Sequence, residues 1–339
     1  MPSTRYQELQ AAIRSQPRRW LVTGGAGFIG SHVVQKLLQL EQRVTVLDDL
    51  STGHRRNLSA ASTSADDGGT MRIAHFVHGD VRDEVTCKHA MDSVDRVVHL
   101  AALGSVPLSL EKPEECHAAN VTGTLNIFLA ARAAGVKQCV YASSSAVYGD
   151  DARERKQEDS IGQPLSPYAA SKRMDEIYAQ TLRTVYGQRL VGLRFFNVFG
   201  PRQDPHGAYA AVIPQWIAAM KAGEHVFING DGHTTRDFCF VNDVVQALLT
   251  AVMTENDAAM GEVFNVGLGQ ATSLNELFKT LQALLKEETG QDVPDAIHRD
   301  FRAGDIRHSC ADVSKVREVL GFEPEHTVME GLRETVRGF

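Results

Sequence analysis

Apolar and polar positions alternate along the first 196 residues in blocks that predict strands and helices in turn. Short apolar runs predict strands at 20–22, 43–47, 74–77, 96–100, 138–142 and 189–195. Stretches with apolar residues at helical spacing predict helices at 31–40, 116–134 and 167–186. Gly135 and Gly187 follow the last two, as glycines do where helices end. This rhythm predicts a Rossmann-type doubly wound parallel sheet with helices on both faces.

The pattern becomes irregular after residue 197. Gly, Pro and Asp cluster at 200–207 and 229–232, which predicts loops within a smaller mixed α/β substrate domain that closes over the sheet edge. Near the start of the chain, residues 6–13 predict one or two turns of helix outside the main domain. The small polar residues 59–69 predict a flexible loop.

The length of 339 residues exceeds that of one typical domain and favours two. We expect an N-terminal extension at 1–19, a Rossmann domain at 20–196 that includes the catalytic residues, and a C-terminal part at 197–339 that mainly binds substrate and returns some chain to the Rossmann domain.

Composition excludes some classes of function. The formal net charge of −7 argues against broad binding of nucleic acid or an anionic membrane, although a local basic pocket for a phosphate is compatible with it. No apolar run is long enough to span a bilayer, and the first 19 residues are polar, so we expect a cytoplasmic protein.

The cysteines and histidines give no metal or disulfide pattern. The five cysteines are far apart in sequence, which favours reduced thiols over a disulfide framework. No HExxH motif is present, and His298 and His308 are expected in loops or at the surface rather than as ligands. We therefore expect no metal site.

A glycine-rich turn separates the first predicted strand from the first helix. Gly24, Gly27 and Gly30 follow a GxxGxxG spacing. Glycines at such a turn let backbone N–H groups approach a pyrophosphate, and the following helix N-terminus adds a partial positive charge. Packing alone also produces glycine turns, but the strand–turn–helix context favours dinucleotide binding.

Acidic residues at the end of the second strand indicate which dinucleotide binds. Asp48 and Asp49 lie about 20 residues after the turn, where a carboxylate would bond the ribose hydroxyls of NAD and repel a 2′-phosphate. A solvated strand end is the alternative. Asp80 and Val81 follow the third strand and are candidates for contact with adenine.

A tyrosine and a lysine near the start of the long helix suggest acid–base chemistry. Tyr168 and Lys172 are four residues apart and share one helix face. A neighbouring ammonium favours the ionised phenol, which could then act as a base toward a sugar hydroxyl. The serines at 143–145 follow the fifth strand, at the carboxyl edge where such sheets bind ligands. Each feature alone could arise by chance. The tyrosine–lysine pair, the serines and the preceding glycine turn would rarely occur together in this order by chance.

These motifs make the chain resemble the extended short-chain dehydrogenase/reductase family, and within it the UDP-sugar 4-epimerases. The resemblance spans nearly the whole chain and is greatest to the bacterial UDP-N-acetylglucosamine 4-epimerases of O-antigen synthesis. It is carried by TGGAGFIG at 23–30, HLAALGSVP at 99–107, SSSAVYG at 143–149, SPYAASK at 166–172, LRFFNVFGPRQDP at 193–205, GAYAAVIP at 207–214, NGDGHTTRDFCFV at 229–241 and RAGDIRHS at 302–309.

The resemblance implies a tightly bound NAD and a catalytic group of Ser144, Tyr168 and Lys172, with Tyr168 removing the proton of the sugar 4-hydroxyl. It implies a cofactor site formed by Gly24, Gly27, Phe28, Ile29, Gly30, Asp48, Asp49, Ser51, Thr52, Gly53, Asp80, Val81, Leu100, Ala101, Ala102, Asn120, Tyr168, Lys172 and Phe196. It also implies a homodimer formed through helices 116–134 and 167–186.

The same resemblance implies a binding site for a UDP-hexose or UDP-N-acetylhexosamine. Its residues would be Gly104, Ser105, Ser144, Ser145, Asn197, Gln203, Tyr209, Ala211, Val212, Ile228, Arg236, Arg302, Asp305 and Ser309. The two arginines would bind the diphosphate, for which guanidinium groups are suited. Asp305 would accept the uridine ribose hydroxyls.

Ser309 is the residue that the resemblance links to sugar choice. In the family a tyrosine there excludes N-acetylated sugars, whereas a small residue admits them. The expected reaction is interconversion of UDP-GlcNAc and UDP-GalNAc through a 4-keto intermediate, with UDP-glucose and UDP-galactose reacting weakly.

The chain departs from its expected relatives at a few positions. Leu108 stands where they carry arginine, Ala146 and Val147 where they carry serine and threonine, and Gly25 where they carry valine. Leu108, Ala146 and Val147 lie on the sugar side, so the sequence leaves the sugar open but not the reaction type.

Three alternatives remain at this stage. A 4,6-dehydratase would carry an Asp-Glu pair after its catalytic threonine, where this chain has Ser145 and Ala146. A uronate 4-epimerase or another nucleotide-sugar enzyme of the family would need a cation or hydroxyls for the sugar carboxylate, which Leu108 does not supply. A non-catalytic NAD-sensing scaffold would not need Ser144, Tyr168 and Lys172 together.

Overall fold

A computed structural model describes residues 4–61, 74–206, 210–301 and 306–339. Within these ranges the helices are α1 Arg5–Ser15, α2 Phe28–Gln39, α3 Arg55–Ala61, α4 Glu84–Ala90, α5 Val106–Glu111, α6 Pro113–His117, α7 Gly123–Ala133, α8 Pro167–Tyr186, α9 Val212–Lys221, α10 Val241–Met253, α11 Leu274–Thr289, α12 Ser314–Leu320 and α13 Val328–Gly338.

The strands in the same ranges are β1 Arg19–Thr23, β2 Arg43–Asp48, β3 His75–His78, β4 Arg96–His99, β5 Gln138–Ser144, β6 Arg155–Lys156, β7 Leu190–Phe195, β8 Asn197–Phe199, β9 Phe227–Asn229, β10 Thr235–Arg236, β11 Phe238–Phe240, β12 Val263–Val266, β13 Thr272–Ser273, β14 Ile297–Arg299 and β15 His308–Ala311.

Seven of these strands form one parallel sheet in the order β3-β2-β1-β4-β5-β7-β12. Helices cover both faces. In β1, Trp20 and Val22 pack into the core shared with α2 and α10, whereas Leu21 packs into the core shared with α4, α7 and α8. Because side chains alternate between two buried faces, the strand sequence is continuously apolar. The Rossmann-type prediction is confirmed.

The C-terminal part has its own core and smaller sheets. Helices α9, α11 and α13 pack around the buried residues of β9 and β11. One four-stranded sheet has the order β13-β10-β15-β6, and the pairs β8–β11 and β9–β14 are parallel. This mixed α/β part agrees with the prediction.

The two parts exchange chain. After residue 197, α10 packs on the large sheet and β12 forms its edge. In the other direction β6, at 155–156, pairs with β15. Each part therefore contains chain from both sides of residue 197.

Most predicted elements appear within one to three residues of their expected bounds, and α8 spans the predicted 167–186. Gly187 ends α8 in the left-handed conformation, with φ of 68°. The predicted helix at 116–134 is composite: a π-helical turn at Ala118–Thr122 lies between α6 and α7. The predicted loop at 59–69 is wrong for 59–61, which end α3. Its remainder lies outside the described residues.

Candidate active site

A cleft of about 810 Å³ opens at the carboxyl ends of the strands in the large sheet. It lies beside β1, where β2 is the neighbour on one side and β4 on the other. Such a reversal of strand order is where open α/β sheets bind ligands. The residues predicted from sequence that line it are Gly24, Gly27, Phe28, Ile29, Gly30, Asp48, Asp49, Ser51, Thr52, Asp80, Val81, Leu100, Ala101, Ala102, Gly104, Ser105, Ser144, Tyr168, Lys172, Phe196 and Gln203.

The three glycines of the turn have different surroundings. Gly24 has φ of 67°, and a Cβ there would lie 2.7 Å from the backbone N of Ala101. A Cβ on Gly30 would overlap the backbone of Gly24. A Cβ on Gly27 would meet only the Gly24 carbonyl oxygen, at 3.2 Å, and would otherwise extend into open space. Gly24 and Gly30 are therefore required by the turn and its packing, and Gly27 keeps backbone accessible from the cleft.

The N-terminus of α2 lies at the cleft and carries no acidic side chain of its own. Its N-cap is Gly27, which makes no side-chain capping bond, and its first turn has no acidic residue. Phe28 and Ile29 in that turn line the cleft. Amides at such a helix end favour a negatively charged group. The turn thus fits the pyrophosphate of a dinucleotide.

Asp48 and Asp49 are held at the end of β2 by backbone donors. The two carboxylate oxygens of Asp48 accept hydrogen bonds from the Ala26 N–H at 2.8 Å and the Leu50 N–H at 2.9 Å. Burial raises the pKa of Asp48, while these two bonds lower it. Asp49 accepts from the Ser51 N–H and hydroxyl at 2.9 and 2.6 Å. Each Asp48 oxygen keeps a second lone pair, and Asp49 accepts both Ser51 bonds on Oδ1, which leaves its Oδ2, so both carboxylates can still accept ribose hydroxyls.

Other predicted cofactor residues shape the wall of the cleft. Asp80 accepts hydrogen bonds from the Arg82 N–H and guanidinium, and that guanidinium lowers the pKa of the Asp80 carboxyl. Gly53 lies outside the cleft, where a Cβ would meet Ala26 and Asp48. Arg82, which was not predicted from the sequence, also lines the cleft.

Asn120 is fully buried in the π-helical turn rather than exposed to the cleft. Its side chain accepts from the Leu103 N–H at 2.7 Å and donates to the Ser171 hydroxyl at 2.9 Å. Leu103 belongs to the cleft wall and Ser171 precedes Lys172 in α8. Asn120 thus fastens one wall of the cleft to the helix that carries Tyr168 and Lys172.

Ser144, Tyr168 and Lys172 meet in this cleft. The Ser144 hydroxyl accepts from the Ala146 N–H at 3.1 Å, which leaves its own proton for donation. Tyr168 is half-buried, and Lys172 is buried with its ammonium 3.2 Å from a carboxylate oxygen of Asp175. A phenol, an ammonium and a hydroxyl facing one cavity can exchange a proton with a bound alcohol.

Serines outside the predicted set hold the tyrosine in place. The Tyr168 N–H donates to the Ser109 hydroxyl at 3.1 Å, and the next amide, of Ala169, donates to the N-cap Ser166. Ser109 lies on α5, the helix that contributes Leu108 to the cleft wall. The sequence signal for Ser166 was a serine before the proline of a helix, whereas Ser109 had none because its partner is 59 residues away.

Several described residues that were predicted to bind substrate are not part of the cleft lining. Asn197 donates to the Asp237 carbonyl at 3.1 Å, and Ser309 pairs with Arg236 between β15 and β10. Ser145, Ala211 and Val212 are half-buried or exposed.

Ile228 differs from these residues because it packs into the C-terminal core. It is the central, inward-facing residue of β9, so its side chain is not exposed for the predicted contact with substrate. Tyr209, Arg302 and Asp305 lie outside the described residues.

The described ranges contain neither a metal-binding group of side chains nor a membrane-spanning helix. There, no three His, Cys, Asp or Glu side chains are grouped to hold a metal ion. No helix in those ranges has the length and apolar character needed to cross a membrane. The five cysteines, all described, are buried and form no disulfide.

Residues 20–267 match the family described as NAD dependent epimerase/dehydratase. The UDP-glucose 4-epimerase of Mycolicibacterium smegmatis is 40% identical over 323 residues, which cover 95% of this chain and 98% of that protein. A UDP-N-acetylglucosamine 4-epimerase from Methanobrevibacter ruminantium M1, solved with UDP-N-acetylmuramic acid, has a TM-score of 0.86 and 37% identity, covering 96% of this chain and 98% of the other.

The UDP-glucose 4-epimerase of Thermus thermophilus, solved with NAD, has a TM-score of 0.79 and 34% identity, covering 94% of this chain and 98% of the other. The chain belongs to the NAD-dependent epimerase/dehydratase family, the extended short-chain dehydrogenases/reductases, and NAD is its cofactor. The glycine turn and the uncapped end of α2 fit that cofactor.

Proposed function

We propose that this protein interconverts UDP-GlcNAc and UDP-GalNAc by inverting C4 of the sugar. The broader reaction class is NAD-dependent 4-epimerisation of a UDP-sugar. The observation that carries the proposal is the convergence of Ser144, Tyr168 and Lys172 on the cleft that begins at the glycine turn.

Tyr168 acts as the base in this proposal. Its ionised phenol takes the proton of the sugar 4-hydroxyl, and the Ser144 hydroxyl donates a hydrogen bond to the same sugar oxygen. The Lys172 ammonium stabilises the phenolate by its charge. Bound at the glycine turn and the N-terminus of α2, NAD would supply reversible acceptance of the C4 hydrogen as hydride. After the 4-keto sugar has turned over, Tyr168 gives its proton back to the oxygen at C4.

The proposed preference for acetylated sugars rests on Ser309. This side chain is small and half-buried on β15, next to β10. A short side chain there leaves room for an acetamido group and does not exclude the smaller hydroxyl, so UDP-glucose should react weakly. We also propose that Arg236 and Arg302 bind the diphosphate and that Asp305 binds the uridine ribose.

A sugar panel tests the reaction and the substrate together. NMR of UDP-GlcNAc with the purified protein and no added NAD should show UDP-GalNAc forming. UDP-glucose should react more slowly and UDP-glucuronate not at all, because Leu108 places no cation on the sugar side. No conversion of any UDP-sugar would reject the enzymatic proposal, and faster reaction of UDP-glucose would reject the sugar preference.

We propose that two copies of the chain pair through α7 and α8. The outer face of these helices exposes the apolar side chains of Leu129, Met174, Ile177, Tyr178, Val185 and Tyr186. The last five share one side of α8 or its end, and Arg132 on α7 stacks 3.8 Å from the Tyr186 ring. Light scattering should give the mass of a dimer, and Ile177→Glu should give a monomer. A monomeric wild type would reject this proposal.

A further inference from the structure

Lys172 has a buried carboxylate partner that the proposed reaction does not use. Asp175 lies one turn further along α8, and its Oδ2 is 3.2 Å from the Lys172 Nζ. The side chains of Lys172 and Asp175 are 3% and 1% exposed. Removing two charges from water costs several kcal/mol, which their attraction offsets only with good geometry and further hydrogen bonds.

A chain of buried hydrogen bonds leads toward this pair from the strand that precedes the glycine turn. The Thr23 hydroxyl accepts from the N–H groups of Leu100 and Ala101, both at 3.2 Å, so its proton is directed to the His99 Nδ1 at 2.6 Å. Burial lowers the pKa of His99 to about 3, so the ring is neutral and carries its proton on Nε2.

The His99 Nε2 therefore donates to the Thr124 hydroxyl at 2.9 Å. The Thr124 hydroxyl lowers the pKa of the Asp175 carboxyl, whose buried Oδ1 has no hydrogen-bond partner among the described residues. Three secondary-structure elements thus share one directed chain of hydrogen bonds, from β1 through β4 to α7. Asp175, on α8, accepts its hydrogen bond from the Lys172 ammonium.

We propose that Asp175 is a positioning residue: it holds the Lys172 ammonium in one place and sets the charge around Tyr168, and so fixes the pH range of the reaction. This inference rests on the proposed function. A lysine side chain has four flexible carbons, and a fixed carboxylate restricts its ammonium to one position.

The other titratable groups facing this pair carry little net charge. On α8, Glu176 is paired with Arg194 at 2.8 and 2.9 Å. His99 on β4 is neutral, and burial raises the pKa of Cys116 on α6 and of Tyr141 on β5, so both stay protonated. Burial raises the pKa of Asp175 itself to about 6, against the lowering effect of Lys172. Above about pH 6 the Asp175 carboxylate is therefore the main negative charge beside Lys172.

Loss of this charge should move the pH profile of the reaction. Asp175→Asn removes the negative charge that lies 3.2 Å from the Lys172 ammonium, and so makes the surroundings of the proposed base more positive. A more positive environment favours deprotonated groups, so both limbs of the profile should shift to lower pH by about 0.5–1 unit.

The test compares NAD-loaded wild type with Asp175→Asn, which keeps the side-chain shape. We expect kcat/KM for UDP-GlcNAc to show the shift in both limbs. Asp243→Asn is the matched control: Asp243 is equally buried, on α10, and accepts from the Glu325 N–H and His326 at 2.9 Å each. It should lose stability but keep both limbs in place.

A second measurement does not depend on turnover. The ultraviolet absorbance of the ionised phenol, taken as the difference between Asp175→Asn and Asp175→Asn/Tyr168→Phe, reports Tyr168 alone. Its midpoint should lie below that of the matched wild-type pair, and Asp175→Ala should show the same shift. If both midpoints coincide with wild type, the Asp175 inference is overturned. If wild type converts no UDP-sugar while the midpoint still shifts, only the proposed function fails.

Discussion

The cofactor wall and the sugar wall of the cleft are built in different ways. On the cofactor wall, the predicted residues follow the ends of neighbouring parallel strands, and nearly all of them line the cleft. On the sugar wall, the described residues that were predicted after 197 lie on short strands, in a loop and at the start of a helix, and Gln203 is the one among them that lines the cleft. Backbone at strand ends is positioned by one sheet, whereas the sugar wall needs several small sheets to come together.

The largest effect is expected at the point where the two walls meet. Tyr168→Phe removes the proposed base while keeping the ring, so kcat should fall by about 10²–10⁴-fold. Steady-state kinetics with UDP-GlcNAc measures it. The bound NAD content should stay at the wild-type level, since the glycine turn is unchanged. A variant that epimerises normally would show that Tyr168 is not the base.

Alanine substitutions of two glycines in the cofactor wall should distinguish an effect on folding from an effect on cofactor binding. Gly30→Ala places a Cβ on the Gly24 backbone and should lower the free energy of unfolding by about 3 kcal/mol. Gly27→Ala meets only one carbonyl oxygen and should lower that free energy by less than about 1 kcal/mol, but it should reduce the amount of NAD retained.

Thermal unfolding and cofactor content of the two variants provide the comparison. Equal loss of stability in both, with equal NAD retention, would contradict the different surroundings described for these glycines.

On the sugar wall, Ser309→Tyr tests how far specificity depends on one side chain. A ring at this half-buried position should lower kcat/KM for UDP-GlcNAc by about 10–200-fold and affect UDP-glucose much less. Ser309→Ala is the control, since it keeps the site small. Full activity of the tyrosine variant on acetylated sugars would remove the basis for the proposed preference.

The smallest effect concerns how the end of the chain is attached to α10. The side chain of His326 donates to Asp243 at 2.9 Å, and this hydrogen bond raises the pKa of His326. Because the pKa of His326 is raised in the folded state, this hydrogen bond contributes fully to the free energy of unfolding below the unfolded pKa of about 6.5. The contribution is lost as pH rises through the folded-state pKa.

The contribution should be less than about 1 kcal/mol, since partial exposure screens the pair. Chemical unfolding of wild type and His326→Gln at about pH 5.5 and 8.5 measures it. The difference between the two proteins should shrink at the higher pH, and a constant difference would contradict this account.

Local sequence was sufficient where a residue's role depends on its own turn or strand. Glycines 24, 27 and 30 and the pair of Asp48 and Asp49 could be found from spacing because strand, turn and helix follow each other directly. The π-helical turn could not be found, because it appears only as a change in hydrogen bonding within an apolar stretch.

Contacts between distant segments gave no such signal. Ile228 reads as an available apolar residue, yet the alternation of β9 turns it into the core. Ser109 reads as one of several serines in a loop, yet its hydroxyl accepts from the amide of Tyr168. Asp175 reads as a charged residue on a helix, although it is buried against Lys172. The environment of each of these three residues depends on how its own strand or helix packs against other elements, which the local sequence does not reveal.

By itself the sequence determined the alternation of strands and helices, the glycine turn, the acidic residues after β2 and the residue types that face the cleft. Periodicity and turn chemistry are local properties, so they can be read along the chain. Only the tertiary structure decided that Thr23, His99 and Thr124 form one directed chain of hydrogen bonds and that Asp175 is buried against Lys172. Its physical basis is that burial from several elements fixes which proton each group carries and where it points.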